Sequence, residues 1–422
     1  MNDYQARAER ILHRIEELAV ISEDSACLTR RYGTPAFLSA RNKIEGWMRE
    51  SGLATFVDHI GNIRGKINAN PKAKTFVIGS HIDTVVNAGK FDGPLGVLVG
   101  LDLMEQVKKA GIEIPFELEL IGFCDEEGVR FHSTFLGSRA VAGSFENSLL
   151  EVHDESGIKL RDAIRQIGGN PSLVEEDAIP ADNWLGYFEI HIEQGPVLYD
   201  RKIPVGLVSS IAGQCRAGII IKGEAGHAGT VPMSMRKDAL AGAAEFILTA
   251  EKFAANQKEK LLVTVGKLHV INPASNVIPG EVICSLDLRS EDQDLLMTAH
   301  DSLKKSAEEI CRRRNIELEW NLIQQTRPVR CDDSLNRLLE ESIRDAGHEP
   351  LKLMSGAGHD AVPISAVAPV TMLFVRCYKG ISHHPAEDVT LEDLTAALEV
   401  SDNFIKKLLS RHQLFELNGR IA

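Results

Sequence analysis

The sequence predicts an α/β protein: a mostly parallel sheet flanked by helices, interrupted by an inserted β-α-β-β-α-β domain. Three observations predict it. Between residues 54 and 190, apolar runs of strand length alternate with amphipathic helical stretches, the rhythm of parallel strands joined by crossover helices. Several of those runs end in His, Asp or Glu, as expected where functional groups gather at the carboxyl ends of parallel strands. From residue 214 to 325 the rhythm changes to strand, helix, strand, strand, helix, strand.

Residues 4–19 place Ile11, Leu12, Ile15 and Leu18 on one helical face, and residues 35–51 form a second helix that buries Phe37, Leu38, Ile44, Trp47 and Met48. Short strands follow at 54–57 and 62–67, then a buried strand from Thr75 that ends at His81. Pro94 opens a helix carrying Leu95, Leu98, Val99, Leu103 and Val107; proline suits a first helical turn. The apolar run 116–123 ends in Cys124-Asp125-Glu126-Glu127-Gly128, and the run 185–190 ends at His191-Ile192-Glu193-Gln194-Gly195-Pro196. A short strand at 205–210 leads out of this domain.

The inserted domain, residues 212–329, has strands at 214–223, 261–270, 282–289 and 317–325 and helices at 238–257 and 291–314. That order is the split, ferredoxin-like one. Asp238, with Arg236 and Lys237, fixes the start of its first helix. Pro328 and the polar residues 330–334 form the return linker. The first domain, residues 1–211, resumes over 330–422 with a helix at 335–346, a glycine-rich loop at 355–360, a buried strand at 370–375 and a closing helix at 391–409. A chain of 422 residues, too long for a single core, agrees with this division.

Composition narrows the function. A net charge of −13 argues against nucleic acid or an anionic membrane as partner, while a local arginine can still hold a small anion. The seven cysteines are dispersed with no Cys-x-x-Cys pair, which points to free thiols in a reducing compartment. The start, Met1-Asn2-Asp3-Tyr4, runs into a charged helix without a secretory pattern, and no apolar run is long enough to span a membrane; a cytoplasmic protein is expected. No internal repeat or low-complexity tract is present.

The strand-end groups are His81, Asp92, Glu126, Glu127, His191 and one of His383 and His384. Imidazole suits zinc or manganese, and a carboxylate can bridge two cations. One cation would take His81, Asp92 and His191; the other Asp92, Glu127 and a C-terminal histidine. Two cations about 3.5 Å apart can hold a water and polarise a carbonyl. Asp83, expected on the His81 side of the strand, would hold that imidazole from behind. Neighbouring glutamates point in different directions, so one of Glu126 and Glu127 can ligate while the other accepts a proton. Taken singly, a glycine-rich turn with a chance histidine, or a solvated acidic loop, explains each motif. Their recurrence at three strand ends favours a site.

These motifs resemble the dinuclear-metal amidohydrolases of the M20 peptidase clan, and within it the hydantoinase/carbamoylase branch of allantoate amidohydrolases and N-carbamoyl-L-amino-acid hydrolases. The carriers are residues 79–84, 89–93, 126–128, 191–195, 227–233, 355–360 and 382–383. The resemblance implies a metallopeptidase-like catalytic domain and a lid/dimerisation role for the inserted domain, with a homodimer built through it. It implies that His81, Asp92, Glu127, His191 and His383 ligate two divalent metal ions, with Asp92 bridging, and that Glu126 is the general base. The clan's peptidases more usually place a carboxylate where His191 stands. Gln194, His227, Asn276 and Arg289 match substrate-binding positions, with His227 donating to the oxyanion, and Gly358 and His359 line the pocket. Without the resemblance, Arg289 reads as a surface ion pair and Asn276 as a turn residue. His384 reads as incidental.

The implied reaction is metal-dependent hydrolysis of a C–N bond other than a peptide bond, in the ureido group of a small carboxylate. Allantoate is the first expectation. N-carbamoyl-L-amino acids, N-carbamoyl-β-alanine and ureidoglycolate share the same two groups. An aminoacylase or dipeptidase of the clan, and an inactive ligand-binding relative, are the competing readings. Zinc or manganese suits the ligands, and cobalt or nickel is compatible.

Overall fold

The computed structural model describes residues 3–67, 73–258 and 260–411. It contains α1 (Asp3–Ala19), α2 (Pro35–Glu50), β1 (Ala54–Val57), β2 (Ile63–Ile67), β3 (Thr75–His81), α3 (Pro94–Lys109), β4 (Glu117–Phe123), α4 (Leu136–Val141), α5 (Leu160–Gln166), β5 (Trp184–Ile192), α6 (Val197–Arg201) and β6 (Val205–Ile211). There follow β7 (Gly213–Lys222), β8 (Gly226–His227), α7 (Ala239–Ala255), β9 (Leu262–Thr264), β10 (Leu268–Val270), β11 (Val277–Ile278), β12 (Glu281–Ser290), α8 (Gln293–Arg314), β13 (Glu317–Thr326) and β14 (Val329–Arg330). The chain closes with α9 (Asp333–Asp345), β15 (Lys352–Ser355), α10 (Ala361–Ile364), β16 (Val370–Val375) and α11 (Leu391–Arg411). No described helix is long and apolar enough to cross a membrane.

Two compact units emerge. The first runs to Ser209 and resumes over Cys331–Leu353 and from Gly358; the second comprises Ser210–Arg330 with Met354–Ala357. The large sheet has the order β1-β2-β4-β3-β5-β16-β6-β14, with β15 beside β6. Its centre is parallel, since β3 pairs with β4 and β5, and β5 with β16. Its margins are antiparallel at β1-β2, β2-β4 and β16-β6. Every residue of β3, β4, β5 and β16 is buried, so these strands read as continuous apolar runs, as strands covered on both faces do.

α3 seats directly on this centre. A Cβ at Gly96 would lie 2.1 Å from the Ile190 carbonyl of β5 and 2.7 Å from Ser80 Cβ of β3, so only glycine permits the approach. The outer layer is tied by charge. Arg7 of α1 donates from Nε to Asp102 of α3 (2.7 Å) and from Nη1 and Nη2 to Asp402 of α11 (2.6 and 3.0 Å). Arg7 is 4% exposed and Asp102 fully buried, and Arg10 Nη2 also donates to Asp102.

In the second unit α7 and α8 pack on an antiparallel sheet of order β10-β12-β7-β13, the split β-α-β-β-α-β arrangement. Ile219, Ile221, Phe246, Leu286, Leu288 and Leu303 form its core. Asp238 caps α7 by accepting from the Ala241 amide at 3.0 Å. The single strand expected over 261–270 is two strands, β9 and β10, both beside β12. Gly266 falls in the gap, and there the Ser285 hydroxyl accepts from the Lys267 amide at 3.0 Å in place of a ladder bond. The strands β8, β11, β14 and β15 and the helices α4, α5, α6 and α10 were not expected; each is too short to show a period.

Replacing Arg7 with methionine keeps the packing volume and leaves Asp102 and Asp402 without their shared cation. Arg10 Nη2 still donates to Asp102, so the expected loss is about 1.5–3 kcal/mol, read as a lower midpoint in urea unfolding followed by far-UV circular dichroism. An unchanged midpoint would show that the network does not hold the three helices.

Candidate functional site

The carboxyl ends of β4, β3, β5 and β16 lie side by side, and each delivers a polar group. His81 is the last residue of β3, and His191 is the eighth residue of β5, which runs on to Ile192 rather than ending at 190. Asp92 precedes the start of α3, Glu126 and Glu127 follow β4, and His383 lies beyond β16. Asp92 is the hub. Its Oδ1 is 3.5 Å from His81 Nε2 and 3.1 Å from His191 Nε2, and its Oδ2 is 3.1 Å from His383 Nε2. His383 Nε2 is also 3.4 Å from Glu127 Oε1. Among the described residues, three sets have their donor atoms close enough for one metal ion: His81, Asp92 and His191; Asp92, Glu127 and His383; and His81, Glu126 and Glu127.

Ring orientation makes the first set suitable for a cation. His81 Nδ1 is 3.0 Å from the Asp83 carbonyl, and His191 Nδ1 is 3.0 Å from the Ile192 carbonyl. A ring nitrogen facing a carbonyl carries the proton, so each neutral ring presents a lone pair at Nε2. With both rings neutral in this way, Asp92 Oδ1, buried between them, has no hydrogen-bond donor among the described residues. Two imidazole lone pairs and a carboxylate oxygen converging on one spot are the donor set of a divalent zinc- or manganese-like ion. Protons compete for the same lone pairs. Burial works against charge on His81 and His191, yet contact with Asp92 and the surrounding carboxylates outweighs it and raises both. His383 is raised to about 9, first by its contact with Asp92. Burial would push Asp92 up, but its contacts with His191, His383 and His81 hold it well below the usual carboxylate range.

The acidic pair behaves differently. Burial pushes Glu126 well above its ordinary value, His81 opposing and Glu127 adding to the rise. Glu127 is raised to about 7 by burial and the charge of Asp92. The role expected of Asp83 is corrected. Its backbone carbonyl, not its carboxylate, holds the His81 ring; the carboxylate is 3.8 Å from Nδ1. That carboxylate instead accepts from the Glu126 and Glu127 amides at 3.2 and 3.3 Å. The chain has left the strand by residue 83, so side-chain alternation no longer applies.

Other expected residues are placed as follows. Gln194, at φ +56°, donates from Nε2 to Asp92 Oδ2 at 2.8 Å, while its Oε1 is buried without a partner. His359 is buried against His191, with ring centroids 4.6 Å apart and edge to face. Burial and the neighbouring His191 push its pKa well down, which keeps the ring neutral. At Gly358 a Cβ would lie 2.7 Å from the Phe135 ring. His384 is exposed and accepts from the Ala386 amide at 3.1 Å within its own turn.

His227, Asn276 and Arg289 belong to the second unit. His227 pairs with Val277 across the β8–β11 ribbon, and the Asn276 carbonyl accepts from the Ala228 amide, so these two share one ribbon. Arg289 of β12 donates from Nε and Nη2 to Asp287 (2.9 and 3.2 Å) and from Nη1 to the Gly356 carbonyl (2.6 Å). Among the described residues, two of its five N–H donors remain without an acceptor. Two groups went without a role in the sequence reading. Ser382 Oγ donates to Asp92 Oδ2 at 2.7 Å, and Glu387 Oε1 accepts from the Phe91 and Asp92 amides at 2.8 and 3.0 Å. The available signal was their place in the Ser-His-His-Pro-Ala-Glu run around His383.

With this geometry in hand, the chain can be compared with known proteins. It matches the model of peptidase family M20/M25/M40 over residues 77–407. It is 40% identical to an allantoate deiminase of Arabidopsis thaliana, over 91% of this chain and 79% of that protein. It is 38% identical to an N-carbamoyl-L-amino acid amidohydrolase of Geobacillus stearothermophilus, over 93% of this chain and 97% of that one. The crystal structure of a hydantoinase/carbamoylase family amidase from Burkholderia multivorans has a TM-score of 0.88 at 30% identity, covering 94% of this chain and 97% of that one. The strand-end cluster therefore stands in a member of peptidase family M20/M25/M40, on its hydantoinase/carbamoylase branch.

Proposed function

We propose that this chain hydrolyses the ureido C–N bond of a small carboxylate, allantoate first among them, with release of ammonia and carbon dioxide. The observation that carries the reading is the convergence of His81, His191, His383 and Glu127 on Asp92, with the buried Glu126 beside them. The allantoate deiminase relative supports the choice of substrate.

His81, Asp92 and His191 would hold one divalent cation, and Asp92, Glu127 and His383 a second. Such a pair, when bound, polarises a ureido carbonyl and makes a water more acidic. Glu126 takes the attacking water's proton on its carboxylate and returns it to the leaving nitrogen. Burial raises its pKa, which strengthens the carboxylate as a proton acceptor. Gln194 keeps Asp92 in place through Nε2 and offers Oε1 to a ureido N–H. From the second unit, His227 donates to the oxyanion, Asn276 adds an amide hydrogen bond, and the two remaining donors of Arg289 take the substrate carboxylate. A homodimer built through that unit belongs to the same proposal.

Ammonia release by protein reconstituted with manganese or zinc, tested on allantoate, N-carbamoyl-L-methionine, N-carbamoyl-β-alanine and ureidoglycolate, decides the substrate. Allantoate is expected to lead. A lead for N-carbamoyl-L-methionine would establish the second reading, which the Geobacillus relative favours. Silence on all four would sink the ureido reading.

Glu126→Gln should keep its bound metal while turnover falls by about 10²–10⁴-fold. Turnover near the wild-type rate would remove Glu126 as the base. His383 holds its proton up to about pH 9, so below that pH a cation must displace it. Cation affinity, measured by chelator competition, should therefore rise with pH up to at least about 9. A flat profile would mean that His383 does not ligate.

A further inference from the structure

We infer that Glu387 is a positioning residue: its carboxylate fixes the backbone of Asp92 and so sets the spacing between Asp92 and His383. Glu387 is 2% exposed, and its Oε1 accepts from two successive amides, Phe91 and Asp92, at 2.8 and 3.0 Å. Burying a carboxylate is costly unless donors compensate it, and here the donors are the backbone of the hub residue itself. Room for the side chain is built into the facing loop. A Cβ at Gly89 would lie 2.3–2.4 Å from the Glu387 carboxyl carbon, Cβ and Oε1, so any other residue there would displace it.

The opposite end of the same short segment reinforces the clamp. Ser382 Oγ donates to Asp92 Oδ2 at 2.7 Å, and the Glu387 amide donates to the His384 carbonyl at 3.0 Å, closing a turn. Residues 382–387 thus hold Asp92 twice, by its side chain through Ser382 and by its backbone through Glu387. His383 lies between the two anchors, 3.1 Å from Asp92 Oδ2. Without the Glu387 bonds the loop at 89–92 loses its register against His383, and the two ligands no longer present a shared site. The prediction for cation binding rests on the two-cation reading above; the prediction for the backbone does not.

Glu387→Ala, Glu387→Gln and Gly89→Ala test this in the full chain. The first readout is hydrogen–deuterium exchange at the Phe91 and Asp92 amides in chelator-treated protein. The second is zinc stoichiometry and affinity by chelator competition. Glu387→Ala should expose both amides to exchange while β3 and β5 stay protected, and should weaken the zinc held by Asp92, Glu127 and His383 about 10- to 100-fold. Glu387→Gln keeps an acceptor oxygen in place and should restore protection and affinity. Gly89→Ala should behave like Glu387→Ala, and replaces it if that variant does not fold. Protection retained in Glu387→Ala, or a Glu387→Gln variant as damaged as the alanine one, overturns the inference. One zinc per wild-type chain would end the two-cation reading, and the exchange result would still decide the role of Glu387.

Discussion

Convergence of lone pairs on one buried carboxylate is the constraint on which the rest of the first unit depends. Asp92 receives His81 and His191 at Oδ1, and Ser382, Gln194 and His383 at Oδ2. His81 and His191 each have the other side of the ring fixed elsewhere. The two imidazoles are turned by backbone carbonyls, and the backbone of Asp92 is held by Glu387. Small errors of placement are costly in such a cluster because imidazole, carboxylate and hydroxyl all have to meet at fixed distances. The parallel centre of the sheet meets that demand. Hydrogen-bonded neighbours β4, β3, β5 and β16 end at nearly one level, and the close seat of α3 at Gly96 brings Asp92 over the ends of β3 and β5.

What could be read from the sequence divides by how a residue acts. His81 and His191 were legible because each closes an apolar run, and Glu127 and Asp92 because each stands at a loop beside one. Local periodicity carries that kind of information. The parallel centre and the long helices α1, α2, α3, α8 and α11 were legible on the same ground. Asp83, Ser382 and Glu387 were not, since what matters is which atom each side chain reaches, a backbone amide or the Asp92 carboxylate, across 43 to 296 residues of sequence. The antiparallel margins of the sheet were also hidden. β2 and β14 are short, and the direction of these strands and of β6 is set by pairing rather than by composition. In the second unit Gly266 signalled a break, but the Ser285 hydroxyl that bridges it comes from the neighbouring strand.

Charge supplies a further reason for the site's design. Asp83, Asp92, Glu126, Glu189, Asp360 and Glu387 are all buried around these strand ends. Burial pushes Glu189 up, and pushes Asp360 up further with the charge of Glu189 added. Glu387 rises to about 7 by burial and the charge of Asp92. Arg30 is the fixed cation whose field reaches Asp83, but its guanidinium is engaged by the Ile82, Leu18 and Ile21 carbonyls, and burial pulls its pKa down to about 10. One spent arginine does not balance so many carboxyl groups in a medium of low dielectric constant. The remaining routes are protonation of the acids and histidines or binding of mobile cations, and the two are linked. Every cation that enters expels protons, so the state of Glu126 depends on what Asp92 holds. A buried base beside a shared carboxylate is then not a separate device from the metal cluster: the same field that draws cations to Asp92 determines whether Glu126 can accept a proton.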